Sequence, residues 1–107
     1  MPRAKFQTLT EQMYYILLCL SEECYGMDIM DKVPAMTYGR VKVGSGTLYN
    51  LLEQFLDAGI IRETKAEGRR RCYILTDKGR TLLDTEYQRL KQLVYDYECL
   101  TRKEDAP

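Results

Sequence analysis

The stretch VGSGTLYNLLEQFLDAGIIRETKAEGRRRCYILT, residues 43–76, decides the fold. It predicts one short helix, then a strand, a basic turn and a second strand. Within the helix, apolar side chains recur at i, i+3, i+4 and i+7 and form a single stripe on a 3.6-residue period. The members of this stripe are Leu48, Leu51, Leu52 and Phe55.

Both ends of this helix carry sequence signals. Ser45 and Thr47 can each accept a hydrogen bond from free backbone N–H groups at the start of the helix. Gly59 follows the last turn, where a left-handed residue that ends the helix is least costly as glycine. The face opposite the apolar stripe presents Thr47, Tyr49 and Asn50, and its first half has no acidic residue. A helix that enters a DNA groove needs such an N-terminal half.

The second part of the stretch predicts a β-hairpin. Residues 60–65 and 70–76 are rich in apolar, β-branched and aromatic side chains, and the glycine-containing turn 66–69 separates them. Residues 62–71 hold five basic and two acidic side chains in a chain whose formal net charge is zero. A helix followed by a basic-tipped hairpin is the winged-helix arrangement, in which the helix reads a groove and the wing tip binds phosphate.

These residues carry a family resemblance. GTLYNLLEQFLDAGII (46–61) and EGRRRCYILTDKG (67–79) resemble the PadR family of bacterial transcriptional regulators. That family shows a G-T-L-Y helix start, a helix ending in G-[LI]-[IV], a G-R-R-R wing and a Y-x-L-T-x-x-G junction. Tyr25-Gly26-x-x-Ile29 matches the family's opening of its second helix, and the resemblance covers residues 9–100. Two departures are Asn50, where the family often has proline, and Cys72, where lysine or arginine is common.

The resemblance, together with the pattern, implies a fold, a domain division and a function. The fold is α+β, mainly α: a winged helix-turn-helix with a long C-terminal dimerisation helix. Residues 1–76 would form the DNA-binding domain, and residues 77–107 the dimerisation helix and a polar tail. The function is that of a sequence-specific DNA-binding regulator, a repressor that acts as a homodimer on a pseudo-palindromic site in double-stranded DNA.

The predicted DNA contacts lie on the helix, on the wing and just before the helix. Ser45 and Thr47 could bond phosphate, and Tyr49 looks like the family's phosphate-contacting tyrosine. Asn50 is predicted to read base edges, because an amide can pair bidentately with adenine. The wing contributes Arg69, Arg70 and Arg71, with Arg69 and Arg71 on one face by alternation, and Arg40 and Lys42 are further candidates.

The N-terminal third predicts two helices and a strand. Thr8-Leu9-Thr10-Glu11 reads as a capping box in which Thr8 caps a helix to about Ser21. Residues 23–26 are predicted to form a turn, and a second helix begins at Tyr25 or Gly26 and ends at about Ala35. Residues 38–43 alternate and are rich in β-branched side chains, which predicts a strand that closes the wing sheet with its basic and apolar side chains on opposite faces.

The last helix is predicted to begin after a Thr76 cap and to run for roughly 24 residues, or ~36 Å. Its apolar residues are spaced 4, 3, 4 and 3 apart, which is a heptad seam. A domain of this size cannot cover so long a helix, so the seam predicts a homodimer. The seam consists of Leu83, Tyr87, Leu90, Val94 and Tyr97, broadened by Leu82, Leu93 and Leu100.

Nine tyrosines and five methionines leave two readings open. They could simply fill the core, or they could line a flat effector pocket at the dimer interface, as in some short members of the family. Such a pocket would take a small aromatic or hydrophobic molecule that releases the repressor. Its predicted residues are Met13, Tyr14, Tyr15, Tyr95 and Tyr97, although the sequence has no tryptophan to supply stacking plates.

Composition excludes several other classes. The chain has no histidine, none of its four cysteines forms C-x-x-C, and it shows no nucleophile motif or glycine-rich phosphate loop, so we expect no metal, no cofactor and no enzyme. Among the cysteines, Cys72 is the best redox candidate because three arginines precede it. No run approaches the roughly 18 apolar residues of a membrane span, and no signal peptide is evident, so we expect a cytoplasmic protein.

The alternative function is a winged helix that binds protein rather than DNA, which would not need three arginines in its wing.

Overall fold

The computed structural model describes residue 6 and residues 8–102. Its elements are α1 (Glu11–Cys19), β1 (Cys24–Tyr25), α2 (Gly26–Met36), α3 (Ser45–Asp57), β2 (Ile61–Glu67), β3 (Arg70–Leu75) and α4 (Asp77–Thr101). The strands form one antiparallel sheet in the order β1-β3-β2. The predicted fold class, a mainly helical winged helix-turn-helix with a long C-terminal helix, is confirmed. The polar tail beyond residue 102 lies outside the described residues.

One hydrophobic core joins α1, α2 and α3 to the sheet. The four residues of the α3 stripe are all at most 7 % exposed. They pack with Ile16 and Leu17 of α1, with Ile29 and Val33 of α2, and with Leu75 of β3. Because the stripe lies against this core, the opposite face of α3 points into solvent.

The end of α3 follows the predicted left-handed glycine cap. Gly59 has φ 74°. The Gly59 N–H donates to the Leu56 carbonyl at 3.0 Å, and the Ile60 N–H donates to the Phe55 carbonyl at 2.9 Å. This pair of bonds is a Schellman motif, which satisfies carbonyls at the helix end and turns the chain into β2.

The predicted cap of α1 was wrong. Thr10, not Thr8, is the N-cap, and its hydroxyl accepts the Met13 N–H at 3.2 Å. The chain before Thr10 is instead held against α4, where the Leu9 N–H donates to Glu86. Glu11 does not complete a capping box, because its carboxylate pairs with Arg40.

The predicted strand at residues 38–43 was also wrong. Tyr38 and Gly39 take φ values of 55° and 77°, which turn the chain sharply after α2. The following segment keeps the predicted alternation, with Val41 and Val43 buried and Arg40 and Lys42 exposed, but it pairs with no strand in the described chain.

The sheet edge that residues 38–43 were expected to fill is occupied by β1. Cys24 and Tyr25, predicted to lie in a turn, pair with Tyr73 and Cys72 of β3. The central strand β3 therefore has a neighbour on each side, since β2 pairs with its other edge. Residues 68–69 connect β2 to β3, and Gly68 has φ 61°, as a tight hairpin turn requires.

Helix α4 begins as predicted and then leaves the core. Thr76 caps it by accepting the Gly79 N–H at 3.1 Å. Leu82 and Leu83 pack against the core, whereas every residue from Tyr87 to Arg102 is exposed. The division of the chain at residue 76 stays a prediction; the first turns of α4 pack on the winged helix itself. In the part of the chain that the structure describes, no helix combines the length and apolarity needed to cross a bilayer.

Glu86 is a charged residue that is buried to 2 % exposure. Its carboxylate accepts two hydrogen bonds from Arg89, both 2.7 Å, and one from the Leu9 N–H at 2.8 Å. The bonds from Arg89 and from Leu9 favour the charged form and hold the pKa of Glu86 below its ordinary value despite burial. Glu86 therefore fastens the chain before α1 to the middle of α4.

Gly79→Ala should destabilise the fold by about 3 kcal/mol, the upper part of the range for overpacking. A Cβ at this position would overlap the Ile60 carbonyl oxygen and stand 3.0 Å from Leu75 Cδ2. Urea unfolding measures the effect. Gly46→Ala in α3 is the control, since its Cβ would have no neighbour within 4 Å. Equal midpoints for wild type and Gly79→Ala would contradict the close packing of α4.

Glu86→Gln should cost about 1–3 kcal/mol near pH 7, because the amide cannot accept all three hydrogen bonds. The pKa of Glu86 is lowered in the folded state, so its contribution is present above the unfolded value of about 4.3 and is lost as pH falls through the lower folded pKa. Unfolding free energies measured from about pH 7 to about pH 2 should therefore converge for the two proteins at the acid end. A constant difference across this range would show that the charge of Glu86 is not what stabilises the fold.

Candidate nucleic-acid interface

An open groove of about 680 Å³ runs between α3 and the β2–β3 wing. We call it the recognition groove. The start of α2 forms one end, the exposed face of α3 one wall, and the wing the other wall. Its lining residues are Gly26, Met27, Tyr49, Asn50, Leu52, Glu53, Leu56, Arg69, Arg70, Arg71 and Tyr73. The groove thus brings together five of the nine residues predicted to contact DNA.

Gly26 allows the three sides of the groove to meet. A Cβ at this position would stand 3.2 Å from Tyr73 Cε2, 3.3 Å from Leu52 Cδ1 and 3.6 Å from Tyr49 Cε1. Only a residue without a side chain lets the start of α2 approach both α3 and β3 so closely. The tyrosine-glycine pair that opens α2 is therefore part of the site.

Tyr49 and Asn50 lie on the exposed face of α3. Tyr73, behind them on β3, is buried, and this burial raises the pKa of its hydroxyl. The lining of the groove therefore combines the aromatic ring of Tyr73 with the exposed amide of Asn50. Such an arrangement can present a hydrogen-bonding side chain to a base edge.

The first turn of α3 is open to solvent. Gly44 is the N-cap, and no side chain caps the helix, so the expectation that Ser45 or Thr47 does so was wrong. Both hydroxyls are exposed, and no atom lies within 4 Å of the Cβ positions of Gly44 or Gly46. Backbone N–H groups at a helix start suit a phosphate oxygen, and the exposed hydroxyls add two further donors.

The three wing arginines have different surroundings. The Arg70 guanidinium lies over the ring of Tyr25, with its Cζ 4.1 Å from the ring centroid. Arg71 Nη1 is 3.2 Å from Glu63 Oε1 across the hairpin. Arg69 lies in the turn and forms no ion pair with any residue in the described ranges. Arg69 is therefore the wing cation most available for phosphate.

Arg40 and Lys42 lie away from the groove lining. Arg40 pairs with Glu11, and its Nη2 donates to the Tyr15 hydroxyl at 2.9 Å. The carboxylate of Glu11 raises the pKa of the Arg40 guanidinium. The charge of Arg40 is thus shared with α1, whereas Lys42 is exposed and its backbone carbonyl accepts a hydrogen bond from the Gln12 side-chain amide.

Among the residues predicted to form an effector pocket, Tyr14 and Tyr15 meet edge to face with ring centroids 6.2 Å apart, whereas Tyr14 and Tyr95 line different depressions. Tyr14 lies in a depression of about 480 Å³ between α1 and α4, together with Leu83 and Tyr87. Tyr95 lines a second, smaller depression of about 380 Å³ on the outer half of α4. Tyr15 is instead engaged with Arg40. The predicted pocket stays a prediction.

The cysteines are free thiols, and three of them are buried. Cys72, the redox candidate, is only 4 % exposed, and burial raises the pKa of Cys19 to about 11. Cys19 is therefore a poor source of thiolate at neutral pH, and the side chain of Cys72 has little exposure to solvent. Within residue 6 and residues 8–102, no group of three or more His, Cys, Asp or Glu side chains is arranged to hold a metal ion.

Sequence reasoning missed Met27 and Tyr73 as groove residues, and it used Tyr25 and Gly26 only as a family signature and as the turn and start of the second helix. The close approach at Gly26 could have been predicted, because a glycine at the first position of a helix allows another backbone or side chain to come near. Tyr73 gave no such signal, since a tyrosine in a predicted strand is ordinary.

A helix-turn-helix whose second helix lies beside a basic two-stranded wing is the architecture of a DNA-binding transcriptional regulator. The profile of the transcriptional regulator PadR-like family matches residues 16–85, about two thirds of the chain. The chain belongs to this family, and the predicted resemblance is confirmed.

Solved structures agree with this assignment. The chain is 29 % identical to a PadR-like transcription factor from Bacteroides fragilis, with a TM-score of 0.68 over 81 % of this chain and 86 % of that one. It is 28 % identical to a PadR-like transcriptional regulator from Bacillus cereus, with a TM-score of 0.67 over 82 % and 88 %. RosR of H. salinarum, 23 % identical, shares the fold with a TM-score of 0.63 over 90 % and 99 %. The search of curated proteins found no match.

Proposed function

We propose that this chain is a homodimeric repressor that binds a pseudo-palindromic DNA site through the recognition groove. The observation that carries the proposal is that the exposed face of α3 and the wing arginines line one groove. Family membership supports DNA-binding regulation. We further propose the repressor role, the dimer and the DNA-contacting residues.

In the proposed complex, the first half of α3 enters the major groove. Asn50 reads a base edge, while Tyr49 and the hydroxyls of Ser45 and Thr47 bind phosphate at the open helix start. The wing follows the neighbouring backbone, with Arg69 as its main phosphate contact and Arg70 and Arg71 beside it. Arg40 and Lys42 add positive charge next to α3 and attract the DNA backbone more weakly than the wing arginines.

A formal net charge of zero does not oppose this function. Local charge, not net charge, determines phosphate contact. Several acids near the site already have partners in the chain: Glu11 binds Arg40, Glu63 binds Arg71, and Glu67 accepts the Tyr25 hydroxyl. Affinity should still fall steeply with salt, because phosphate contacts release counterions.

The outer half of α4 supports the proposed dimer. Tyr87, Leu90, Val94 and Tyr97 are 37–68 % exposed, although their spacing is that of a coiled-coil seam. A second copy of α4 would cover them. The two α3 helices would then face successive major grooves about one helical turn apart.

An effector that releases the repressor would bind where the two chains meet. The depression beside Tyr14 is apolar in its floor and includes Leu83 and Tyr87 of the seam. In a dimer, Met13, Tyr15, Tyr95 and Tyr97 could be brought to such a depression from the two chains. A small aromatic or hydrophobic molecule fits this chemistry. DNA regulation of this kind agrees with the cytoplasmic location expected from the sequence.

Fluorescence anisotropy with labelled DNA from upstream of the protein's own gene, beside a scrambled duplex, tests the function. Arg69→Ala should weaken binding to both duplexes and reduce the salt slope by about 1, because it removes one phosphate contact. Asn50→Ala should mainly reduce the preference for the native fragment, by about 1–3 kcal/mol. Arg102→Ala, at the far end of α4, is the matched charge control.

Two outcomes would contradict the site. Equal affinity of wild type and Arg69→Ala at every salt concentration would remove the wing from the interface. Failure of the wild type to bind any duplex at low salt would favour the alternative function, a winged helix that binds protein.

Leu90→Asp should convert the dimer to monomers, because the carboxylate would be buried in the seam. Multi-angle light scattering after gel filtration gives the mass, and circular dichroism confirms that the helices are kept. Gln88→Asp places the same charge two residues away, off the seam, and should leave the dimer intact. A Leu90→Asp dimer of unchanged mass would show that the seam is not the interface.

A further inference from the structure

We infer that Tyr25 is a positioning residue for the wing, because it holds the Glu67 carboxylate and the Arg70 guanidinium in place. The arginines of the wing then face DNA, and the carboxylate of Glu67 is kept away from it. This inference rests on the proposed function. We call the three side chains of Tyr25, Glu67 and Arg70 the wing brace.

The wing brace joins parts of the chain that are far apart in sequence. The Tyr25 hydroxyl donates a 2.7 Å hydrogen bond to Glu67 Oε1, 42 residues away. The Arg70 guanidinium lies over the same ring, 4.1 Å from its centroid, which is close for a cation–π contact. Glu67 and Arg70 form the last pair of the β2–β3 ladder. One tyrosine therefore contacts both strands where the wing tip begins.

Tyr25 is itself firmly placed. Its backbone pairs with Cys72 in the sheet and serves as the N-cap of α2. The next residue, Gly26, packs closely against α3 and β3. The ring of Tyr25 is therefore attached to a well-packed part of the domain, where β1 joins α2.

Strand pairing with β1 does not extend to the wing tip. Strand β1 pairs only with Cys72 and Tyr73, so Arg70 and Arg71 have a strand neighbour on the β2 side alone. A two-stranded hairpin is marginally stable by itself. The Tyr25 side chain extends support from β1 toward the tip, which limits the positions that Arg69 can adopt beyond it.

The brace also controls charge. Glu67 is an acid next to a turn that is proposed to approach phosphate. Held by the Tyr25 hydroxyl, its carboxylate is kept toward β1; released, it could pair with Arg69 or Arg70 and remove a cation from DNA. A tyrosine hydroxyl is protonated at neutral pH and can donate, and the hydrogen bond to Glu67 raises the pKa of Tyr25 further.

A double-mutant cycle in the full-length protein tests the inference. Tyr25→Phe removes only the hydroxyl and keeps the ring under Arg70. Affinity for the native fragment should fall about three- to tenfold, the effect of losing one ordinary hydrogen bond at an exposed site. In a Glu67→Gln background the same change should cost less than about twofold, because no carboxylate is released. Tyr38→Phe, at an almost fully exposed tyrosine outside the groove lining, is the control.

Amide hydrogen exchange in the DNA-free protein gives a second reading. Tyr25→Phe should speed exchange several-fold at Glu67 and Arg70, the last pair of the β2–β3 ladder, while leaving α1 and α2 unchanged. Equal affinity and equal exchange for wild type and Tyr25→Phe would overturn the inference, as would an undiminished loss of affinity in the Glu67→Gln background. If the wild type binds no DNA, the proposed function fails, and the exchange rates alone decide whether Tyr25 holds the wing.

Discussion

The burial of one stripe of α3 is the constraint on which the rest of the structure depends. Leu48, Leu51, Leu52 and Phe55 are almost fully buried, and burying each such side chain contributes roughly 1.5–3 kcal/mol. A typical hydrogen bond on the exposed face contributes only about 1 kcal/mol to the stability of the fold. The core therefore fixes the rotation of α3, and the face that carries Asn50 points outward as a consequence of packing.

The same constraint explains how a chain without net charge can carry a cationic surface. Once α3 and the sheet are fixed, acidic and basic residues distant in sequence become neighbours, and several acids acquire partners inside the chain. Arg40 is drawn to Glu11 on α1, and Arg71 to Glu63 on the other wing strand. Arg69 lies at the tip of the hairpin, beyond the reach of these pairs. The availability of a cation for DNA is thus a property of the fold.

Local sequence signals predicted those features that depend on neighbours in the chain. The stripe of α3, the left-handed Gly59 and the Thr76 cap all follow from side chains within one or two turns. The strand expected at residues 38–43 failed because the positive φ values of Tyr38 and Gly39 turn the chain there, and β1 occupies the second edge of β3. The cap at Thr8 failed because Leu9 is held by Glu86, 77 residues away. In the groove, Tyr73 and the role of Tyr25 were missed for the same reason: each depends on a partner that periodicity cannot reveal.

The outer half of α4 differs from these cases, because its apolar heptad pattern is clear from the sequence but the surface that it would pack against is not in the same chain. Every residue from Tyr87 to Arg102 is exposed, and isolated helices of about 15 residues are marginal in water. Its apolar seam would be a liability on a monomer, because exposed apolar stripes favour association. In a dimer, the same residues are buried and the helix is stabilised by packing. Dimer formation would then order this half of α4 and, at the same time, set the spacing between the two recognition grooves. The stability of the dimer would therefore be linked directly to the geometry that a palindromic site requires.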